Sequence, residues 1–468
     1  MFKKLIYIAL PIFLLYSLVN FSIGRDTFLG LKKYLDEEQK YLIRKYIFPY
    51  KHIKRQKKDL ENLEKKIKDL KDNQDRIYNS INFNKLELDF KKSNKNILTF
   101  FDNQRFTKLS DKLILEKIKI KEGFYSGIAN IFPGSGYIDF KNDNLFILSA
   151  RGILAYSEID KFEFKQIKNN INQFIGIDQF NKARGISLKD LYIFENNIFI
   201  SFTEEIKNDC WNTSVLKGEL NYININFDKI FSSQNCIYSH GYKENLDNEF
   251  EIQQSGGRIQ SIDSNTILLS VGEYRSRYLA QDNQSINGKI IKINLNNLSH
   301  EIISMGHRNP QGLYYDKENN FILETEHGPK GGDEINLIDL NQDDEKIPNY
   351  GWAISSYGGH YHKETGKGLP IYSKYPLYKS HKQYGFIEPL KSFQPSIGIS
   401  EIVKLSKTKY AVSSLRDKSI YLFELTNKEI SNIQRIKVSE RIRDLRYYKN
   451  KIYLFLEDSA SIGIIRLN

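Results

Sequence analysis

GHRNPQGL (Gly306–Leu313), ETEHGPKGGDEINLI (Glu324–Ile338) and NYGWAISSYG (Asn349–Gly358) follow one another closely in the chain. Each places polar residues and glycine beside a short apolar run, which is how a loop feeding a β-sheet presents side chains to a ligand. In the first motif, Arg308 offers a planar fork for a carboxylate and Asn309 offers a donor and an acceptor. These two residues suit a flat, polyanionic, carbonyl-rich ligand. The alternative is a tight turn in which they satisfy buried carbonyls.

The second motif carries a glycine-rich turn that contains Gly328 and Pro329. Such a turn aims backbone carbonyls in one direction, and Asp333 and Glu334 stand beside it. The set predicts a site for a hard, oxygen-seeking cation such as calcium. The alternative is an ordinary turn that its acidic residues merely cap.

Short apolar runs recur from about residue 120 to the end of the chain, between clusters of Asn, Asp, Lys and Gly. Examples are LFILSA (145–150), TILLSV (266–271) and IYLFEL (420–425). This spacing is typical of many short antiparallel strands, with no helical period between them. An all-β fold is expected, and the strand-like region is too long for a β-sandwich. The 468 residues, 13% of them aromatic, exclude a disordered chain.

The N-terminus predicts a membrane anchor over residues 1–25. Lys3 and Lys4 precede residues 5–24, which contain no charge and are long enough to cross a bilayer. The positive start places the N-terminus in the cytoplasm, so the rest of the chain is expected in the periplasm, held by a single pass through the inner membrane. The alternative is a cleaved signal peptide, because residues 22–24 are small at the two positions that a signal peptidase reads.

Residues 26–80 are expected to form a helical stalk, followed by a linker over 81–119. Apolar residues at 3-4 spacing predict a coiled coil over residues 53–77 and self-association through it; they are Ile53, Leu60, Leu63, Ile67, Leu70 and Ile77. A single helix packed on its own domain is the alternative. The formal net charge of +12 also suits nucleic acid, but export and the absence of a nucleic-acid motif argue against that partner.

Five further segments accompany these motifs in a fixed order: SGGRI (255–259), VGE (271–273), AQDNQSINGKIIKIN (280–294), SLRDKSIYLFEL (414–425) and RIRDL (441–445) with YLFLED (453–458). Together they resemble the quinoprotein glucose/sorbosone dehydrogenases, which are six-bladed β-propellers that bind pyrroloquinoline quinone (PQQ) and calcium. The resemblance covers roughly residues 180–468 and implies a propeller over 120–468.

The resemblance also implies roles for individual residues. It places around the quinone Arg308, Asn309, Arg416, Arg441 and Arg443. It directs the main-chain carbonyls of Gly328 and Pro329 toward the cofactor-bound calcium, and puts Asp333 and Glu334 near a second, structural calcium. For Arg441 and Arg443, which lie two apart on an expected strand, a salt-bridged face is the alternative.

Two positions depart from the family pattern. Active members carry a histidine that takes the proton from the sugar hydroxyl, and the aligned residue here is Gln254, whose amide is no general base near neutral pH. In the early glycine-rich loop, over residues 182–188, Arg184 and Gly185 stand where Gln and Gly are expected. His240, His300 and His327 are candidates for a substitute base, although each also suits an ordinary hydrogen-bonding role.

The chain has two cysteines, Cys210 and Cys236. A pair in an exported domain is expected to be bridged, whereas a reducing cytosol keeps such thiols free. The residues between them read as a strand, a turn and a second strand, so the cysteines are expected at neighbouring blade ends.

Two functional hypotheses follow. One is a membrane-anchored, periplasm-facing quinoprotein that oxidises an aldose or a related hydroxyl compound. The other is a catalytically impaired propeller that binds a carbohydrate or another ligand, or acts as a scaffold. Gln254 favours the second hypothesis, and the arginines favour a retained ligand.

Overall fold

The computed structural model describes residues 53–64, 66–67, 70, 105–110, 113–120, 135–183, 185–239, 250–341, 346–360 and 373–466. The chain divides into two compact units, residues 1–75 and 76–468. Among the described residues, no helix is long and apolar enough to cross a membrane. The predicted anchor over residues 5–24 lies outside that part of the chain, as do Ile77 and much of the predicted stalk and linker.

In the first unit, residues 53–64 form a helix, α1. The apolar residues of its predicted seam are more than half exposed, at 63% for Ile53, 56% for Leu60 and 56% for Leu63. The 3-4 spacing therefore lies on a helix, and self-association through it stays a prediction.

The second unit contains six sheets, here called blades, and each blade is described from its innermost strand outward. Blade 1 has β3 (Gly136–Lys141), β4 (Asn144–Ser149), β5 (Leu154–Glu158), β6 (Lys165–Asn169) and β10 (Asn224–Ile225). Blade 2 has β7 (Leu188–Phe194), β8 (Asn197–Lys207), β9 (Cys210–Glu219), β11 (Phe227–Phe231) and β12 (Ile237–Tyr238). Blade 3 has β13 (Gly256–Asp263), β14 (Thr266–Val271), β15 (Lys289–Asn294) and β16 (His300–Met305).

Blade 4 has β17 (Pro310–Asp316), β18 (Phe321–Glu326), β19 (Asp333–Asp339) and β20 (Lys391–Phe393). Blade 5 has β21 (Ile399–Lys404), β22 (Lys409–Ser414), β23 (Ser419–Thr426) and β24 (Glu429–Lys437). Blade 6 has β25 (Ile442–Tyr448), β26 (Lys451–Leu456) and β27 (Ser461–Arg466), together with β2 (Ile114–Lys119) and β1 (Arg105–Lys108). The helical pieces between the strands are α2 (Ile177–Lys182) and 3-10 turns at Ile171–Gln173, Ile252–Gln254, Arg277–Gln281 and Lys382–Tyr384.

The innermost strands close a ring. Each of β3, β7, β13, β17 and β21 contacts the innermost strand of the next blade, and β25 contacts β3. The core lies between neighbouring blades, where alternating apolar side chains of one sheet pack on the next; Phe146, Leu191 and Trp211 share one such cluster between blades 1 and 2. This arrangement confirms the six-bladed propeller and excludes the sandwich.

Blade 6 joins the two ends of the propeller sequence. Leu115 of β2 pairs with Ile465 of β27 in an antiparallel register. The boundary expected at residue 120 is therefore wrong, because β1 and β2, which fall inside the predicted linker, belong to the propeller. Pairing an N-terminal strand with C-terminal strands leaves the ring without a gap between its first and last blades.

A buried ion network fills the centre of the ring. Arg258 of β13 lies 2.9 Å from Asp190 of β7, 2.9 Å from Asp444 of β25 and 3.0 Å from Glu401 of β21. Arg446 also lies 3.0 Å from Glu401 and 3.0 Å from Asp444. Burial raises the pKa of Asp190 to about 7, although both arginines oppose this shift. Charged residues from four different blades thus hold one another at the propeller axis.

A disulfide joins Cys210 to Cys236, with a Cα–Cα distance of 5.3 Å. Cys210 begins β9, and Cys236 immediately precedes β12, which pairs with β9. The predicted bridge is confirmed, but it links strands of one blade rather than neighbouring blades. It fastens β12 to the sheet, which two backbone pairings alone hold weakly.

Removing this bridge should lower the free energy of unfolding by about 3 kcal/mol, because the closed loop restricts the unfolded chain. The test is urea denaturation of the Cys210→Ser/Cys236→Ser variant beside the wild type, each with and without dithiothreitol. Reductant should shift the wild type toward the variant and leave the variant unchanged. Equal midpoints for the oxidised wild type and the double variant would contradict a stabilising bridge.

Candidate ligand-binding site

A cavity of about 410 Å³ lies at one end of the propeller ring. All six innermost strands contribute residues from their first positions or from the loop just before them; these are Tyr137, Lys189, Gly256, Asn309, Gly398 and Arg443. The cavity therefore occupies the end at which the innermost strands begin, where loops converge from every blade.

Most of the site residues expected from the sequence meet on this cavity. Its lining includes Gln254, Arg308, Asn309, Gly328, Pro329, Asp333, Arg416, Arg441 and Arg443. Glu334 is not part of the lining. The lining further contains Lys189, Arg258, Arg275 and Lys330, against the acidic Glu251 and Asp333. Eight basic side chains facing two acidic ones favour an anionic ligand.

Arg308 is held in place from several sides. Its Nη1 donates hydrogen bonds to the carbonyls of His327 (2.8 Å) and Gly328 (2.9 Å). Its guanidinium lies over the Trp352 ring, 5.4 Å from the ring centroid, and its backbone N–H donates to Glu326 Oε2. The side chain is thus positioned before any ligand arrives, and part of its role is to satisfy the carbonyls of the neighbouring turn.

Arg441 and Arg443 share one buried carboxylate. Arg443 Nε donates to Glu457 Oε1 (2.6 Å), and Arg441 Nε donates to Glu457 Oε2 (2.9 Å). Burial disfavours the charge on Glu457, but the two arginines outweigh it and lower the pKa of this residue. The salt-bridged alternative therefore holds for the Nε atoms, while both side chains still line the cavity.

Arg416 differs from these two arginines. It is exposed at the rim of the cavity, and its side chain has no hydrogen bond or ion pair with any described residue. A free guanidinium at the mouth of a cationic cavity is available to a ligand carboxylate.

Gln254, at the position of the family's histidine, is buried and fixed by two neighbours. With the amide oriented so that both of its ends are satisfied, its nitrogen donates to Glu273 Oε1 and its oxygen accepts from Arg308 Nη2 (2.9 Å). Burial raises the pKa of Glu273 to about 7, although Arg308 and Arg277 oppose this shift. Both ends of the amide are thus engaged, and neither can take a proton from a sugar hydroxyl.

The carbonyl oxygens expected to bind calcium already accept hydrogen bonds. The Gly328 carbonyl accepts from Arg308, and the Pro329 carbonyl accepts from Ser396 Oγ at 3.4 Å. A dication at Gly328 would repel the guanidinium, so its binding requires Arg308 to release that carbonyl. Because a carbonyl has two lone pairs and both residues border the cavity, the pair fits calcium on this condition.

The two acidic residues beside this turn have structural partners. Asp333 Oδ1 accepts from Gly328 N (3.1 Å), and Oδ2 accepts from Gly398 N (2.6 Å) and Ile399 N (3.1 Å). Glu334 Oε1 lies 3.4 Å from His381 Nε2, and burial raises the pKa of Glu334 to about 7, although His381 opposes this shift. Asp333 therefore ties the turn to blade 5, and neither carboxylate is free as a calcium ligand.

One of the three histidines considered as a substitute base borders the cavity. His327 lines it, and burial lowers the pKa of its imidazole, which favours the neutral form. His300 begins β16 and packs edge-on against Phe231, with ring centroids 5.3 Å apart; it is absent from the lining. His240 lies outside the described residues, as does Arg184.

Two polar residues at this site carried no sequence signal for their role. Lys189 lines the cavity and donates to the Gly185 carbonyl (2.7 Å), and burial lowers its pKa to about 7. Glu273 belongs to the VGE segment, but only the folded chain shows that it lies against Gln254. Lys189 stands between Leu188 and Asp190 at the start of strand 188–194, so the local pattern does not mark it.

The chain matches the Glucose / Sorbosone dehydrogenase family over residues 181–466. It is 26% identical over 235 residues to the aldose sugar dehydrogenase YliI of Escherichia coli (strain K12), covering 46% of this chain and 59% of that protein. The chain spans less than three fifths of the length of the curated relatives that it matches.

Two solved structures share the fold. A crystal structure of glucose dehydrogenase superposes with a TM-score of 0.56 at 22% identity, covering 71% of this chain and 96% of that one. The PQQ-bound form of the aldose sugar dehydrogenase of Streptomyces coelicolor gives a TM-score of 0.50 at 15% identity, covering 72% and 99%. At these identities the likeness shows the fold alone.

Proposed function

Because this chain belongs to the Glucose / Sorbosone dehydrogenase family, we propose that its cavity binds PQQ together with a calcium ion. One observation carries the proposal: Arg308, Arg416, Arg441 and Arg443, from three separate segments of the chain, all border one cationic cavity. PQQ is a flat tricyclic quinone with three carboxylates, which matches this charge and the guanidinium geometry. The PQQ-bound form of the Streptomyces relative supports the same assignment.

Bound PQQ would supply a hydride acceptor for the oxidation of an aldose or a related hydroxyl compound. Arg416 is the donor available to its carboxylates, and Arg441 and Arg443 border the same cavity. The carbonyls of Gly328 and Pro329 are the oxygens available to calcium. Gln254 stands at the position of the proton acceptor, but its amide cannot accept a proton near neutral pH. Sugar oxidation by the unmodified protein is therefore expected to be slow.

A binding or scaffold propeller is the second candidate, and the setting of Gln254 favours it. The amide is held between Glu273 and Arg308, which is a stable hydrogen-bonded arrangement rather than a strained one. Such a site retains ligand without turnover. Carbohydrate or quinone binding without dye reduction would distinguish this function from that of an enzyme.

We further propose that the propeller faces the periplasm from a single membrane anchor at residues 5–24. The disulfide supports export, because such bridges persist in oxidising compartments. Fractionation of cells that produce the full chain, with N-terminal sequencing of the product, tests this proposal. A soluble periplasmic product that begins near residue 25 would instead support the cleaved signal.

The direct test of the proposed function adds PQQ and calcium to the purified protein and follows cofactor binding by fluorescence and dye reduction with a panel of sugars. Calcium-dependent PQQ binding with slow sugar oxidation is the expected result. Failure to bind PQQ at any calcium concentration would exclude the quinoprotein function, and a sugar-induced shift in melting temperature without PQQ would then favour the binding module.

Replacing Arg416 should weaken PQQ binding selectively. In Arg416→Gln the affinity for PQQ is expected to fall about tenfold, which is the effect of losing one charge-assisted hydrogen bond. The free energy of unfolding should change little, because the Arg416 side chain has no partner among the described residues. Arg435→Gln is the control, since Arg435 is an exposed arginine on β24 that pairs with Asp417 and does not line the cavity. Isothermal titration calorimetry measures the PQQ affinity of both variants, and equal affinities would show that Arg416 is not part of the site.

A further inference from the structure

A second group of polar side chains lies buried next to the cavity, where β18 and β19 meet the loop that carries Arg308. It consists of His307, Glu324 and Glu326, whose candidate ligand atoms all lie within 4.8 Å of one another. The exposed fractions of these residues are 0% for His307, 0% for Glu324 and 3% for Glu326. Among the described residues, neither glutamate forms an ion pair with a lysine or an arginine. Two carboxyl groups buried in this way are stable in the ionised form only with a compensating positive charge.

His307 points an unpartnered nitrogen at these carboxylates. Its Nδ1 lies 3.7 Å from Glu324 Oε2 and 3.6 Å from Glu326 Oε1, and it has no hydrogen-bond partner. These distances are too long for hydrogen bonds in either tautomer. They are close to the separation of about 3.3 Å between neighbouring ligands of a tetrahedral metal ion with bonds of about 2.0 Å. Glu324 Oε1 is likewise buried without a partner.

The surrounding residues orient this group as the outer shell of a metal site does. His307 Nε2 lies 2.8 Å from Ser304 Oγ. If Nε2 donates its proton to this hydroxyl, the Nδ1 lone pair faces the carboxylates, which is the tautomer that a metal ligand needs. Asn336 Nδ2 donates to Glu324 Oε2 (3.0 Å) and to Glu326 Oε1 (3.2 Å), so one amide aligns both carboxylates.

We propose that His307 Nδ1, Glu324 and Glu326 bind a divalent transition-metal cation of the zinc class. One imidazole nitrogen and two carboxylates favour such an ion over calcium, which prefers oxygen ligands alone. The cation neutralises the buried carboxylates and occupies the gap between them and the imidazole. Because Glu326 also accepts the backbone N–H of Arg308, the ion braces the loop that presents Arg308 and Asn309 to the cavity. This site does not depend on PQQ or calcium binding.

The test uses the full chain, stripped with dipicolinate and then titrated with Zn²⁺ alone. The expected result is uptake of about one Zn²⁺ per chain, a higher melting temperature on binding, and zinc located at His307 Nδ1 by anomalous diffraction. No free thiol competes for zinc, since both cysteines of the chain are in the disulfide. Absence of zinc uptake by the wild type, with an unchanged melting temperature, would overturn the proposal.

Variants separate this site from binding elsewhere on the chain. Glu324→Gln removes the charge of a metal ligand, and Asn336→Ala removes the amide that aligns both carboxylates. Loss of an outer partner such as Asn336 weakens metal affinity about 10- to 100-fold. Loss of the ligand should weaken zinc affinity at least as much. Glu318→Gln, an exposed glutamate of the same blade, should bind zinc like the wild type. If Glu324→Gln does not fold, Asn336→Ala still decides the outcome. Unchanged zinc affinity in Asn336→Ala would show that the ion binds elsewhere and would overturn the assignment.

Discussion

Gln254→His should raise sugar-dependent dye reduction by about 10²- to 10⁴-fold in protein loaded with PQQ and calcium, the usual contribution of a positioned general base. The structure already contains the partner that such a base needs. Gln254 donates to Glu273, so one ring N–H of a histidine at this position can make the same hydrogen bond and direct its other nitrogen into the cavity. The Glu273 carboxylate would then orient the imidazole and stabilise its protonated form, as an acid behind a catalytic histidine does.

Two variants control this experiment. Gln254→Asn keeps an amide and adds no base, so it should leave dye reduction at the level of the unmodified protein. The double variant Gln254→His/Glu273→Gln keeps the imidazole without the carboxylate and should lose most of the gain. Robust sugar oxidation by the unmodified protein, with no increase in Gln254→His, would mean that another residue supplies the base. His327, which lines the same cavity, would be the first to test.

Arg258→Leu should lower the free energy of unfolding by about 3 to 5 kcal/mol, the usual cost of removing one partner from a buried ion pair. Arg258 lies within 3.0 Å of Asp190, Glu401 and Asp444, and its side chain is 4% exposed. Without the guanidinium these carboxylates share only Arg446. Urea denaturation at fixed pH measures the change. The control is Arg435→Leu, the same substitution in an exposed pair with Asp417, which should change stability little.

The pH dependence of this loss gives a second measurement. Burial raises the pKa of Asp190 to about 7 in the folded protein, above the ordinary value near 4 in the unfolded chain. A carboxyl with a raised folded pKa contributes stability at low pH and loses it as the pH rises through the folded value. Removing Arg258 raises the folded pKa further, so the variant should lose more stability at pH 8 than at pH 5. A loss that is equal at both pH values would show that the network does not carry the effect.

The sequence motifs located much of the candidate site because each motif lies at one strand end. Arg308 and Asn309 directly precede β17, and Arg441 directly precedes β25, so the order of the motifs was enough to bring them to one cavity. Glu334 shows the limit of this reasoning. Its motif suggested calcium, yet the folded chain brings His381 against its carboxylate. No local pattern records a contact between residues so far apart in the sequence.

The amino-acid sequence by itself determined the short strands, their buried faces and the family of the propeller, because the alternation of apolar residues and the glycine-rich turns are local properties. Only the tertiary structure decided how the ring closes. β2 pairs with β27 across nearly the whole propeller sequence, and Arg258 meets Asp444 at a separation of 186 residues. It also placed Glu273 behind Gln254, and His307 against two carboxylates. These groupings depend on which blades are neighbours and on how burial changes the energy of a charge, and both are properties of the folded chain.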